Sequence, residues 1–172
     1  AQIIASLGLD QPLYVQYWRF LVAASQGDLG RSFVYATPAI QLILQRLPAT
    51  LELAFVSTAL SLLTGIPLGL LAGLKPNSLP SKAIMVGSIL GFSLPSFWVG
   101  LLLILTFGVH LSWFPVFGRG ETISLLGVQW SLFTLDGLRH LFLPALNLAL
   151  FNISLLARLT RAGVMEAIPQ DY

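Results

Sequence analysis

The chain has 172 residues, of which 9% are charged and 56% apolar, with a mean hydropathy of +0.83. A soluble domain carries roughly 25% charged residues, so nine Lys/Arg and seven Asp/Glu cannot cover a water-soluble globule of this size, and the composition is that of a membrane protein. The net charge of +2 is too small for a nucleic-acid footprint, the lack of cysteine excludes disulfides and thiolate chemistry, and two histidines, His110 and His140, cannot build a histidine metal cage.

Residues 1–47 contain no span. Asp10 is placed to cap a helix with Pro12 in its first turn. Tyr14, Tyr17, Trp18, Leu21 and Val22 then recur at helical spacing, with Gln16 and Arg19 on the other side. Two readings stand: a helix lying at headgroup level, or one packed on the protein's own outer surface. Gly27-Asp28-Leu29-Gly30 reads as a turn, and Thr37-Pro38 opens a second short helix with Ile40, Ile43, Leu44 and Leu47 on one face.

Charge spacing then locates three spans. Residues 53–74, 83–118 and 140–157 are runs of 22, 36 and 18 residues without Asp, Glu, Lys or Arg. As helices, ~20 such residues cross the ~30 Å hydrocarbon core. The expected spans are 49–74, 83–109 and 141–159, with Pro48, Pro80 and Pro144 near their starts, where a missing N–H is harmless. The 75–82 turn carries two lysines, and Arg158 and Arg161 follow span three. Positive-inside reasoning puts that turn and a 160–172 tail in the cytoplasm, and the 110–139 loop outside. The expected fold is an all-α polytopic membrane protein, a periplasmic amphipathic segment 1–47 preceding a transmembrane region 48–172.

Span one repeats a small residue every fourth position: Ser57, Ser61, Gly65, Gly69 and Gly73. This stripe admits close approach of another helix, or simply faces lipid; Pro67 within it is expected to bend the helix. In span two, Pro95 sits mid-helix between Ser93 and Ser96. It frees a carbonyl that the serines can satisfy, or it forms a hinge whose backbone and hydroxyls line a polar path. A serine nucleophile is a third, weaker reading, because no glycine follows the Ser93-Leu94 pair and neither histidine neighbours it in sequence. Asn147 and Asn152 in span three must bond across helices or face a wet cavity, and point about 140° apart. No phosphate-binding Gly-Lys-Ser/Thr loop is present and no charge sits mid-span, so energy for uphill movement has to come from another chain.

Seven strings, in order, carry a family likeness. They are Gly8-Leu9-Asp10-Gln11-Pro12 with Gln16-Tyr17, then Gly27-Asp28-Leu29-Gly30-Arg31-Ser32, then Leu47-Pro48-Ala49-Thr50-Leu51-Glu52-Leu53. Ser93-Leu94-Pro95-Ser96-Phe97-Trp98, Trp113-Phe114-Pro115 with Gly118-Arg119-Gly120, and Leu138-Arg139-His140-Leu141 with Leu143-Pro144-Ala145 follow, then Ala157-Arg158-Leu159-Thr160-Arg161 leading to Asp171-Tyr172. Together they resemble the inner-membrane permease subunit of binding-protein-dependent ABC importers, in the dipeptide/oligopeptide/nickel branch. The resemblance implies a part of a six-span permease, holding spans two to four. It implies a second permease subunit, two cytoplasmic ATPase subunits, a periplasmic or lipid-anchored solute-binding protein and surrounding membrane lipid as partners, and no cofactor. Its cargo would be di- or oligopeptides, with nickel chelates or glutathione as further members' solutes. On this template Arg158, Arg161, Glu166, Asp171 and Tyr172 lead into the ATPase-coupling loop, while Ser93, Pro95, Ser96, Asn147 and Asn152 are the candidate pathway residues. Both asparagines depart from the Ala, Gly or Leu expected there. The other class left open is an ATP-independent channel or an intramembrane enzyme using the span serines or asparagines.

Overall fold

The computed structural model describes residues 11–32 and 34–168. It divides into two compact units, residues 1–47 and 48–172. Asp10, expected to cap the first helix, lies outside the described residues.

In the first unit, helix α1 runs Leu13–Ser25 and starts on Pro12, whose carbonyl accepts from Val15 N at 2.9 Å. Proline suits this position because its fixed φ matches the helix and its missing N–H is not needed. The helix stops at Gly27, whose φ of +83° closes the turn. Asp28 Oδ1 then accepts from Gly30 N at 2.9 Å, so the expected Gly-Asp-Leu-Gly turn forms. No residue of α1 is buried, and Tyr14, Tyr17 and Trp18 are exposed.

Helix α2 is Ala39–Leu74, 36 residues with Pro48 and Pro67 inside it. This corrects the expected short helix followed by a separate span at residue 49. Each proline forfeits one backbone bond, and the apolar run on either side carries the helix through both. Ser78 then caps helix α3, Leu79–Ser93, accepting from Ser81 N, and Ser81 Oγ donates to Ala72 O at 2.9 Å. The 75–82 turn is thereby bound to the end of α2.

The expected single span over 83–109, kinked or hinged at Pro95, is revised to two helices. Helix α3 ends at Ser93, Leu94 and Pro95 are extended, and helix α4 begins at Ser96 and runs to Leu103 before a π-helical segment, Ile104–His110. The two halves meet at 106°. A proline disfavours the helical conformation in its predecessor, so Leu94 and Pro95 together make a break rather than a kink. Each half is 15 residues, 8 + 7 in the second, about 22 Å of helix and short of a ~30 Å core. Among the described residues, two helices, α2 and the last one, are long and apolar enough to cross a membrane; the bent pair makes a third crossing if it acts as one.

After the bend, a hairpin pairs β1 (Ile123–Leu125) with β2 (Val128–Trp130), Ile123 opposite Trp130, around Leu126 and Gly127 at positive φ. Helix α5 is Leu135–Ala167. It starts earlier than the expected 141, because Thr134 accepts from Gly137 N at 2.9 Å and caps it. It also continues through Arg158 and Arg161, so most of the expected 160–172 tail is helix.

The core of the second unit is built mainly of small residues: Ala72, Ala145, Ala149, Ala157 and the serines of α2 are buried together with Leu143, while most large apolar side chains face outward. Burial of small residues with large ones turned out suits a lipid solvent. The Ser57–Gly73 stripe is buried against α5. A methyl group on Gly65 would meet Leu156 Cβ at 2.9 Å, one on Gly69 the Ala157 carbonyl at 2.8 Å, and one on Gly73 Val164 Cβ at 2.6 Å. Ser61 Oγ donates to Ser57 O at 2.6 Å and reaches Ala149 O at 3.4 Å.

Candidate functional site: the break at Pro95 and the Glu52 cluster

Three segments of the second unit converge on Asn147. The end of α3 brings Gly91 against Ser154 of α5. Phe92 stacks on Phe151 with centroids 4.7 Å apart, and the Arg158 guanidinium lies 4.8 Å above the Phe92 ring. Arg158 Nε also donates to Ser154 O at 3.2 Å. The break is thus fixed to α5 by aromatic and cation–π contact.

Beside the break lies a cavity of about 230 Å³, lined by Leu94, Ser96, Val99 and Asn147 among others. A second cavity of about 230 Å³ is lined by Gly100, Val116, His140, Pro144 and again Asn147. Asn147 therefore borders both. Gly100 allows this, since a methyl there would meet Asn147 Nδ2 at 3.2 Å. Among the described residues Asn147 Oδ1 is buried without a hydrogen-bond partner, an arrangement that costs about 1–3 kcal/mol. Each cavity is below the roughly 300 Å³ of a small-molecule site, so each holds a side chain or a few waters rather than a whole peptide.

The other expected pathway residues are less central. Ser93 Oγ donates to Ile89 O at 2.8 Å, one turn back in its own helix, and not to the Gly91 carbonyl that Pro95 leaves without its donor. Ser96 lines the first cavity with Asn147. Asn152 is exposed and lines neither cavity. Of the coupling candidates, Arg158 and Arg161 are half-buried, Arg161 Nε having no partner among the described residues, and Glu166 is exposed. Asp171 and Tyr172 lie outside the described residues.

A second cluster was not anticipated from sequence. Glu52, read from sequence as the edge of an uncharged run and as part of the Leu47–Leu53 string but given no role, is 2% exposed within α2. Its Oε2 accepts from Arg119 Nη2 at 2.8 Å and Ser131 Oγ at 2.7 Å, and its Oε1 accepts from Ser131 N and from Leu132 N at 3.0 Å. Arg119 Nη2 also donates to Gln129 O at 2.7 Å. A buried carboxylate costs several kcal/mol unless paired and fully hydrogen-bonded, and both conditions hold. The sequence signal was present in each half, a lone acid heading an apolar run and a lone arginine between glycines. The pairing, across 67 residues, was not.

The chain is 41% identical over 172 residues to the oligopeptide transport system permease protein AppB of Bacillus subtilis, covering 99% of this chain and 52% of that protein. It is 36% identical to the di/tripeptide transport system permease protein DppB of Pseudomonas aeruginosa, covering 100% of this chain and 55% of that one. It is 35% identical to the glutathione transport system permease protein GsiC of Salmonella paratyphi A, covering 100% and 52%. The chain spans about half the length of these relatives. Residues 65–172, which hold the glycine half of the α2 stripe, the Pro95 break and all of α5, match the model of one family, and the chain belongs to it: the inner membrane components of binding-protein-dependent transport systems.

Proposed function

We propose that this chain is part of the translocation subunit of an ATP-driven importer whose cargo is di- or oligopeptides. A second permease completes the pathway, two cytoplasmic ATPase subunits drive it, and an external solute-binding protein delivers the cargo. The observation that carries this reading is family membership over 65–172 together with relatives named as oligopeptide and di/tripeptide permeases.

In this reading the break at Leu94-Pro95 is the joint of the pathway and Asn147, bordering both cavities, supplies its amide. Ser96 adds a hydroxyl, and Ser93 trims the α3 end. No fixed charge lines either cavity, which suits a polar cargo that must pass without being trapped. Lys75 and Lys82, both exposed at the turn between α2 and α3, favour a cytoplasmic position for that turn. Arg158, Arg161 and Glu166 then carry α5 toward an ATPase-coupling segment at Asp171 and Tyr172.

The test is peptide uptake by cells carrying the full-length permease. Uptake that disappears with the partner ATPase supports the reading, and uptake that survives its loss replaces it with an ATP-independent channel.

A further inference from the structure

We infer that Glu52 and Arg119 are positioning residues: a latch within the permease that holds the 119–134 segment and the start of α5 in place for solute entry. The importance for entry rests on the proposed function; the latch itself does not.

The bonds form a continuous path. Glu52, on α2, accepts from the main chain of Ser131 and Leu132, the Ser131 hydroxyl and Arg119. Ser131 O accepts from Thr134 N at 3.2 Å. Thr134 Oγ1 also donates to Glu121 O at 2.7 Å and caps α5 by accepting from Gly137 N. Glu121 N in turn donates to Asp136 Oδ2 at 2.9 Å, in the first turn of α5. Gly137 has no room for a side chain, because a methyl there would collide with Ser131 O.

One carboxylate therefore ties the hairpin and the beginning of α5 to α2. Two of its four donors are backbone amides outside any helix or strand ladder, so no other group of the segment replaces it. Ten residues along α5 from Gly137 stands Asn147, and a displaced helix start would shift that side chain against both cavities. The segment stands ahead of the pathway helix, so loosening it weakens capture of solute more than later turnover.

The test uses the full-length permease assembled with its partner chains in proteoliposomes, with a mixture of di-, tri- and tetra-alanine as the probe. In Glu52→Ala, hydrogen exchange across 119–134 should accelerate about tenfold while the Ser57–Gly73 stripe is unchanged. The apparent KM for the probe should rise about fivefold with Vmax within about twofold. Glu52→Gln keeps an acceptor for the two amides but turns its NH₂ toward Arg119; adding Arg119→Met removes that conflict. The double variant should regain part of the protection and of the KM lost in Glu52→Gln, short of wild type because Arg119 no longer holds Gln129 O. Should Glu52→Ala fail to reach the membrane, the comparison of Glu52→Gln with the double variant carries the test. Unchanged exchange in Glu52→Ala, or a double variant no better than Glu52→Gln, overturns the latch. A wild type that takes up none of the probe refutes the peptide reading instead, and the exchange data still decide the latch.

Discussion

Substituting Gly69 by alanine probes the α2–α5 contact directly. The added methyl would sit 2.5 Å from Thr160 Cβ and 2.8 Å from the Ala157 carbonyl oxygen. Ordinary carbon contacts lie at about 3.5–4.0 Å, so one or both helices must retreat. Thr160 is β-branched and stiff, and the Ala157 oxygen is backbone, so neither can swing aside. Overpacking of this kind costs about 1–3 kcal/mol. Glycine-to-alanine in a helix also gains about 1 kcal/mol of propensity, which would hide part of the loss. Gly87→Ala and Gly163→Ala supply the correction, since nothing lies within 4 Å of a methyl at either position and both share the propensity gain. Relative to these, Gly69→Ala should be less stable by about 1–3 kcal/mol, roughly a 5- to 150-fold fall in the folded-to-unfolded ratio. Unfolding of the full-length permease by SDS titration in mixed micelles measures this. If Gly69→Ala unfolds at the same SDS fraction as both controls, the stripe does not set the α2–α5 distance.

Three further outcomes are expected. Pro95→Ala restores a donor for Gly91 O and lets α3 run into α4, so spin labels at Val86 and Ile104 should move apart while uptake falls by about tenfold at unchanged membrane level; an unaltered distance would show that packing, not proline, makes the break. Asn147→Leu removes a buried acceptor without a partner, so stability should hold or improve by about 1 kcal/mol, yet uptake should drop; normal uptake would remove Asn147 from the pathway. A cysteine at Asn77 should resist an impermeant thiol reagent applied to intact cells while one at Leu126 reacts, and the reverse pattern would invert the proposed orientation.

What could be read without coordinates is what the bilayer imposes locally. Two crossing helices were visible as uncharged runs, because charge in hydrocarbon is costly wherever it stands in the fold. The four-residue recurrence of small side chains identified one face of α2, since helical period alone puts Ser57, Ser61, Gly65, Gly69 and Gly73 on it. Pro95 marked a perturbation, because its chemistry is its own.

The tertiary structure decided the rest. The 106° break does not follow from a proline alone, since Pro48 and Pro67 leave α2 unbroken, and only the structure shows the α3 side of the break seated on α5 through Phe92, Phe151 and Arg158. The stripe's partner face on α5, Ile153, Leu156, Ala157, Thr160 and Val164, recurs at helical spacing, but nothing local says which helix it meets. Asn147 and Asn152 look alike in sequence, and only the rotation of α5 puts the first at the border of both cavities and the second outside them. Glu52 and Arg119 are two isolated charges 67 positions apart. Hydrophobic periodicity reports which face of a helix is buried, but an ion pair between distant segments is created by the fold that brings them together, and no local pattern carries it.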